Sequence, residues 1–388
     1  MAHDTEYNAI HHAMELILEN GLGGLDQAVS ILINEAMKVE RSQALNAAPW
    51  ERTGERKGYA NGYKDKHLKS RLGLLDLKIP QVRGDVSFYP KALERGTRSE
   101  RALTVAIAEM YVQGVSTRKV TAVLEKLCGL EVSSSQVSSA AALLDEELEK
   151  WRTRKLGKTP FVQVDARYEK VRRDGAVKNC AALVATGVLD DGHRSILGVS
   201  VAISEAEVHW RDFLLSLQER GLHGVKMVTS DDHAGLRAAL NAVFPGVLSQ
   251  RCQVHLQRNA ASQCSRVSLR KEAARTIRDI FNAPDRNEAQ RLLDRAVKDY
   301  ANRSEKLANW MEKNIPEGFA VFALPDHQRK RLRSTNMVER LNKEILRRTR
   351  VATIFPNEAS LLRLVSAVLI EKSEEWETGR IYLRMDEG

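Results

Sequence analysis

Two short apolar runs near the middle of the chain each end on an aspartate, and this limits the fold more than any other feature. Phe161-Val162-Gln163-Val164 leads into Asp165, and residues 225–229 lead into Ser230-Asp231-Asp232. Short apolar runs bounded by turn formers read as buried strands. Residues 181–188 and 196–203 are also β-rich, separated by the turn Asp190-Asp191-Gly192. A helix with Trp210, Phe213, Leu214 and Leu217 on one face follows them, and Trp210 reads as core rather than as a base-stacking residue. After the 225–229 strand, a helix through Leu236, Leu240 and Val243 leads to Pro245. Three strands, a helix, a strand and a helix predict an α/β layer structure. In open α/β sheets, sites gather at the carboxyl ends of strands. Carboxylates on neighbouring strand ends can hold a hard cation such as Mg²⁺. Turn acids give the same pattern, and Asp231 or Asp232 could simply cap the next helix.

The flanking regions differ in texture. Ala9, Ile10, Ala13, Met14, Ile17 and Leu18 recur at helical spacing, as do Leu25, Ala28, Val29, Ile31, Leu32 and Ala36. GERKGYANGYKDKHLKSRLG follows, with Asn61-Gly62 expected to turn. Alternation of Leu75, Leu77 and Ile79 with Asp76 and Lys78 predicts a half-buried strand. Residues 101–151 read as three helices, the first stopping at Gly114, the second capped by Ser116, the third by Ser133 or Ser134. With Ser134 and Gln136 at the start of its last helix this region fits a helix-turn-helix, and a small helical bundle or dimerisation unit fits it as well. Residues 256–330 lose the strand pattern and are helical and polar, and an apolar helix over 360–376 closes the chain.

A third acid stands in a basic stretch. Residues 329–350 hold nine Lys/Arg and only two acids, Glu339 and Glu344. In STNMVERLNKEILRRTR, Ser334 or Asn336 is expected to cap a helix whose apolar stripe is Met337, Leu341 and Ile345. Glu339 could pair with Lys343 four residues on. It could instead be a metal ligand inside a phosphate-binding surface, with Arg340, Lys343, Arg347, Arg348 and Arg350 contacting phosphates.

The length, 388 residues, is enough for two or three domains. A net charge of +9 favours a polyanionic partner, nucleic acid first. No continuous apolar run approaches the ~18–20 residues of a membrane span, and the charged amphipathic start does not read as a secretory signal. Four cysteines without a CxxC pair make neither a disulfide framework nor a zinc ribbon, so a reduced cytoplasmic protein is the default. Cys252 and His255 are half a structural zinc site, and they read as packing and orientation rather than ligation.

The segment DHAGLRAALNAVFPGVLSQRCQVH, preceded by Asp231, resembles the signature of the Mutator-type transposases of bacterial insertion sequences. Gly235, Leu236, Val243, Phe244, Pro245, Val247, Gln250, Cys252 and His255 carry the match. The strand with Asp165, the GERKGYANGY segment and the N-x-x-E-R-x-N helix (Asn336, Glu339, Arg340, Asn342) extend it over essentially the whole chain. The resemblance implies an α/β RNase H-like catalytic core with an all-helical insertion, preceded by a mainly helical N-terminal DNA-binding region. It implies that Asp165, Asp231 and Glu339 are the catalytic and metal-binding acids of a DDE triad, with Glu344 a rival to Glu339 and Asp232 to Asp231. Cys252 and His255 would be a structural signature near the site. Two Mg²⁺, replaceable by Mn²⁺, would serve strand cleavage and transfer. The expected parts are a helical and basic β-hairpin region (1–100), a helix-turn-helix-like region (101–155), the first part of the core (156–255), the insertion (256–330) and the last part of the core (331–388). Expected partners are terminal inverted repeats and target DNA, bound by a homodimer or larger assembly, with no membrane, in a nucleoid-associated bacterial protein. A catalytically silent DNA-binding regulator and an RNase H-like nuclease that cuts without joining are the rival functions.

Overall fold

The computed structural model describes residues 2–264, 266–350 and 354–385. The chain divides into two compact units, Met1–Leu143 and Leu144–Gly388.

The first unit begins with α1 (Ala2–Asn20) and α2 (Leu25–Leu45), joined by the 3₁₀ turn Gly21–Gly24. Gly24 is required there, because a Cβ would stand 2.6 Å from the carbonyl oxygen of Leu16. By length and composition, the stretch Asn8–Leu45 is apolar enough to cross a membrane. The expectation concerned continuous apolar runs, and polar residues interrupt every such run here; an average over a window tolerates them. A hairpin follows, β1 (Tyr59–Ser70) antiparallel to β2 (Gly73–Arg83). Leu75, Leu77 and Ile79 are buried as their alternation predicts, and they pack with Met37 of α2 and with Leu93. Asn61-Gly62 is not the turn. The register shifts between Ala60 and Tyr63, and Gly62 sits at φ +74°, so the pair forms a bulge inside β1.

Three helices complete this unit: α3 (Arg101–Val112), α4 (Thr117–Cys128) and α5 (Ser134–Ala142). Ser116 caps α4 by accepting from the Lys119 amide, and Gly129 ends it in the left-handed conformation. Ser133, not Ser134, caps α5, in a capping box closed by Gln136. The expected third helix breaks after Ala142. Its second half is α6 (Asp145–Arg152), which belongs to the second unit and is tied to Arg363 by a two-pronged pair with Asp145.

The second unit is built on a mixed sheet of order β5-β4-β3-β6-β7. Here β3 is Phe161–Arg173, β4 Ala176–Val188, β5 Arg194–Ala202, β6 Met227–Ser230 and β7 Leu248–Arg251. The first three are antiparallel; β3, β6 and β7 run parallel. Helices α7 (Glu207–Glu219) and α8 (Ala234–Val243) bury Trp210, Phe213, Leu214, Leu217, Leu236 and Leu240 against Val162, Leu183 and Val228. The strand β7 is absent from the sequence reading, since LSQR has neither apolar content nor alternation to mark it.

Four helices follow: α9 (Gln253–Gln263), α10 (Val267–Phe281), α11 (Arg286–Ala301) and α12 (Glu305–Asn314). They enclose a core of their own, with Ile277, Leu293, Tyr300, Leu307 and Phe319. The short α13 (Asp326–Leu332) leads back to the sheet. There α14 (Asn336–Thr349) and α15 (Glu358–Glu377) pack against β3 and β5, with Ile345, Leu364 and Leu369 buried. Thr335, rather than Ser334 or Asn336, precedes α14, and it makes no side-chain cap.

Candidate active site

Asp165 does not end its strand. β3 continues through Arg173, because its far half pairs with β4 in a long hairpin. What ends just before Asp165 is the parallel pairing with β6, whose last partners are Gln163 and Thr229. Asp165 therefore stands where the two strands part, and Asp231 stands one residue beyond β6. The sheet brings the two acids together at the carboxyl edge of the parallel strands.

The missed strand β7 brings the next part. Ser230 is in register with Arg251, and the Cys252 amide donates to the Ser230 carbonyl at 2.9 Å. Cys252 is then the first residue out of the sheet, and His255 lies in the first turn of α9. Its Nδ1 is 2.5 Å from Asp231 Oδ1, and its Nε2 is 3.6 Å from Glu339 Oε1. The contact with Asp231, and then that with Cys252, push His255 up to about 10. The ring thus lies between two carboxylates, which favour its charged form, with Arg258 Nη1 3.2 Å from Nε2. Burial alone would raise the Cys252 thiol, but bonds from His255 and Thr335 hold it below its usual value. The C-x-x-H pair thus lies at the acids, and Asp231, Cys252 and His255 have ligand atoms within 4.8 Å of one another.

Gln250 and Gly235 explain two more signature positions. Gln250 is wholly buried and bonds the carbonyl of Gly318 and the amide of Val321, clamping β7 to the segment after α12. A Cβ on Gly235 would stand 2.5 Å from the Glu205 carbonyl oxygen, so α8 can start only with glycine there.

Helix α14 supplies the third acid. Glu339 is 19% exposed, with Arg258 of α9 3.7 Å from its second oxygen. One turn on, Asn342 donates its amide to Asp165 Oδ2 at 2.6 Å. Asp165 Oδ1 accepts from the Ala166 amide at 2.8 Å. Burial first, and then the charge of Asp231, push the Asp165 carboxyl up to about 7. Asp231 Oδ1 and Glu339 Oε1 are buried and accept no well-aligned hydrogen bond. Apart from the His255 ring these oxygens have no aligned donor, an arrangement that fits a hard divalent cation.

The rival acids lie elsewhere. Glu344 is held down to about 2, chiefly by a bond from Arg347 and also by Arg348. Asp232 is taken by Arg237 and by Arg251, whose Nη2 is 2.6 Å away.

The expected phosphate contacts divide. Arg340 and Lys343 are exposed and have no ion-pair partner among the described residues. Arg347 is exposed but bound to Glu344. Arg348 is a correction: it is 3% exposed, packed between Glu344 and Glu371, and cannot reach a phosphate. A helix-face reading of the sequence cannot see that α15 covers it. In the first unit, Gln136 spends its side chain on the Ser133 amide, and Ser134 donates to Thr117 Oγ1. Asn342 and Arg258 are the site residues whose part sequence reasoning missed. Asn342 lay inside the matched motif, but nothing local marks its partner.

Comparison with known proteins gives a consistent picture. A family model described as "Transposase, Mutator family" matches residues 2–379. The chain is similar to the transposase for insertion sequence element IS406 of Burkholderia multivorans, 54% identical over 100% of both chains. It is similar to the transposase for ISRM5 of Rhizobium meliloti, 43% identical over 99% of this chain and 96% of that one. It is also similar to the transposase for IS256 in transposon Tn4001 of Staphylococcus aureus, 36% identical over 92% of each.

Proposed function

The chain belongs to the Mutator family of transposases, and from that premise we propose that it binds the terminal inverted repeats of an insertion sequence, cleaves DNA strands there and joins their 3′ ends to target DNA. The observation that carries the catalytic part is the meeting of acids from three separate elements. Asp231 and Glu339 flank His255, and Asp165 is raised by the neighbouring Asp231 charge. The sheet order, an antiparallel three-strand half continued by parallel β6 and β7, supports an RNase H-like core. The helices between β7 and α14 support an insertion of about 256–330.

Asp165, Asp231 and Glu339 would hold two Mg²⁺, or Mn²⁺, which when bound supply positive charge at the scissile phosphate and acidify the attacking hydroxyl. The chain's own groups prepare that site. Asn342 and the Ala166 amide orient the Asp165 carboxylate, His255 turns Asp231, and Arg258 restrains Glu339. Asp165 must release its proton before it can ligate. Arg340 and Lys343 would position the DNA backbone, which directs the phosphodiester without reading sequence. The basic hairpin and α3–α5 would recognise the element ends, and two ends held together imply a dimer or larger assembly.

The test is Mg²⁺-dependent cleavage and joining of a labelled element-end duplex by the wild type, Asp231→Asn and Glu339→Gln. Joined product that disappears in both variants while DNA binding persists supports the reading. Binding without cleavage in every variant moves the protein to a DNA-binding regulator, and cleavage without joining moves it to a nuclease.

A further inference from the structure

Helix α14 presents two faces. Glu339 and Asn342 turn toward the acids, whereas Met337, Arg340, Leu341 and Glu344, at helical spacing, line a separate cavity of about 650 Å³. Its other walls come from α13, α15, the start of β5 and the segment after α15. They include Arg194, Lys330, Arg331, Lys372, Trp376 and Tyr382.

The charges in this cavity do not balance. The acids are already taken: Glu344 by Arg347 and Arg348, Glu375 by Lys372. Among the described residues, Arg194, Lys330, Arg331 and Arg340 have no ion-pair partner, and Arg194 Nε is buried without a hydrogen bond. Burial holds the Arg194 guanidinium below its usual pKa, against the opposing pull of Tyr382 and Glu375, and the neighbouring charges of Arg331 and Arg340 add to the lowering. Cations crowded in this way favour an incoming anion.

The cavity also carries an aromatic floor. Arg194 packs on Trp376 with its guanidinium carbon 4.5 Å from the ring centroid, and on Tyr382 at 5.0 Å; Arg331 packs on Tyr382 at 4.7 Å. Two backbone amides, of Tyr382 and Leu383, donate to the Gly192 carbonyl and pin this segment to the β4–β5 turn. Planar guanidiniums held on rings offer both a charge for phosphate and a surface for a base.

We propose that this cavity is a subsite for an unpaired DNA nucleotide, with Arg194, Lys330, Arg331 and Arg340 holding its phosphodiester and the guanidinium–aromatic stack receiving its base. The proposal rests on DNA being the substrate and adds which form of it is bound. A paired strand keeps its bases inside the duplex and cannot fill a cavity of nucleotide size.

The test compares a blunt element-end duplex with the same duplex carrying a short 3′ single-stranded extension, bound without divalent cation so that catalysis plays no part. The wild type should prefer the extended duplex. Lys330→Ala with Arg331→Ala should lose about tenfold in affinity for the extended form and stay within about twofold on the blunt form. A photoreactive 5-iodouracil in the extension should crosslink to Tyr382 or Trp376 of the unaltered protein, a readout that does not depend on how the variant folds. Equal losses on both duplexes, or crosslinks only to other segments, overturn the subsite while leaving the transposase reading intact. Absence of binding to either duplex overturns both.

Discussion

The side-chain amide of Asn342 donates to Asp165 Oδ2 at 2.6 Å, joining α14 to β3 across 177 positions of sequence. The bond occupies one oxygen of a carboxylate whose other oxygen accepts from the Ala166 amide. Asp165 is thus aimed by two donors before any cation arrives.

Asn342→Ala is expected to lower the cleavage rate by about 10–100-fold, the usual cost of losing a group that orients a ligand, with DNA affinity unchanged. Asn342→Asp should also move the acid limb of the pH–rate profile upward, since a new carboxylate would oppose ionisation of Asp165. Equal rates in wild type and Asn342→Ala, measured in single turnover, would remove the positioning role.

The Asp165 carboxyl, at about 7, is protonated through much of the acidic range. Cleavage at fixed Mg²⁺ should therefore rise with pH through about 7, and more Mg²⁺ should shift that rise to lower pH. The stability sign is opposite to that of an ordinary ion-paired aspartate. From about pH 4 to 7 the folded chain holds a proton that the unfolded chain has released, so this group costs stability as pH rises. Asp165→Asn should raise the melting temperature of metal-free protein at pH 8 and leave it unchanged near pH 4.

His255 separates Asp231 from Glu339, so His255→Ala leaves two partly buried acids facing one another. Without metal its melting temperature should fall by a few degrees. Added Mg²⁺ should then stabilise the variant more than the wild type, because the cation replaces the missing positive charge. A variant that melts like the wild type in both conditions would show that the imidazolium is not a structural counter-charge.

Arg348 and Lys343 lie on one helix but should fail differently. Arg348→Ala breaks a buried cluster with Glu344 and Glu371, of which Glu371 is half exposed, and should cost about 1–3 kcal/mol of stability. Lys343→Ala should leave stability unchanged, weaken DNA binding, and lower the slope of log affinity against log salt by about one. Denaturant titration and salt-dependent binding separate the two.

Much of the local structure was legible in the residues. Ser116 caps α4 as expected because capping depends on one hydroxyl and an amide three residues away. The stripe of Met337, Leu341 and Ile345 is buried because helical spacing alone puts those positions on one face. The run past Asp165 was misread, since Ala166–Arg173 lacks apolar content and is kept extended by pairing with β4. The strand β7 was missed for the same reason: Gln250 is buried by the groups it bonds, not by its own hydrophobicity.

The sequence by itself determined most of the elements, the order of the three acids and, through a long spaced signature, the family. Tertiary structure alone decided which groups meet. Asp165, Asp231, His255 and Glu339 come from β3, the end of β6, α9 and α14; the pairing of β3 with β6 and β6 with β7, together with the packing of α14 on β3, brings them to one edge. Glu344 is held by Arg347 and Arg348 one turn on in its own helix, and the packing of α15, with Glu371 against Arg348, closes that arginine off from solvent. Periodicity reports the face of a helix; the partner of that face is set by other segments of the chain, whose approach no local pattern encodes.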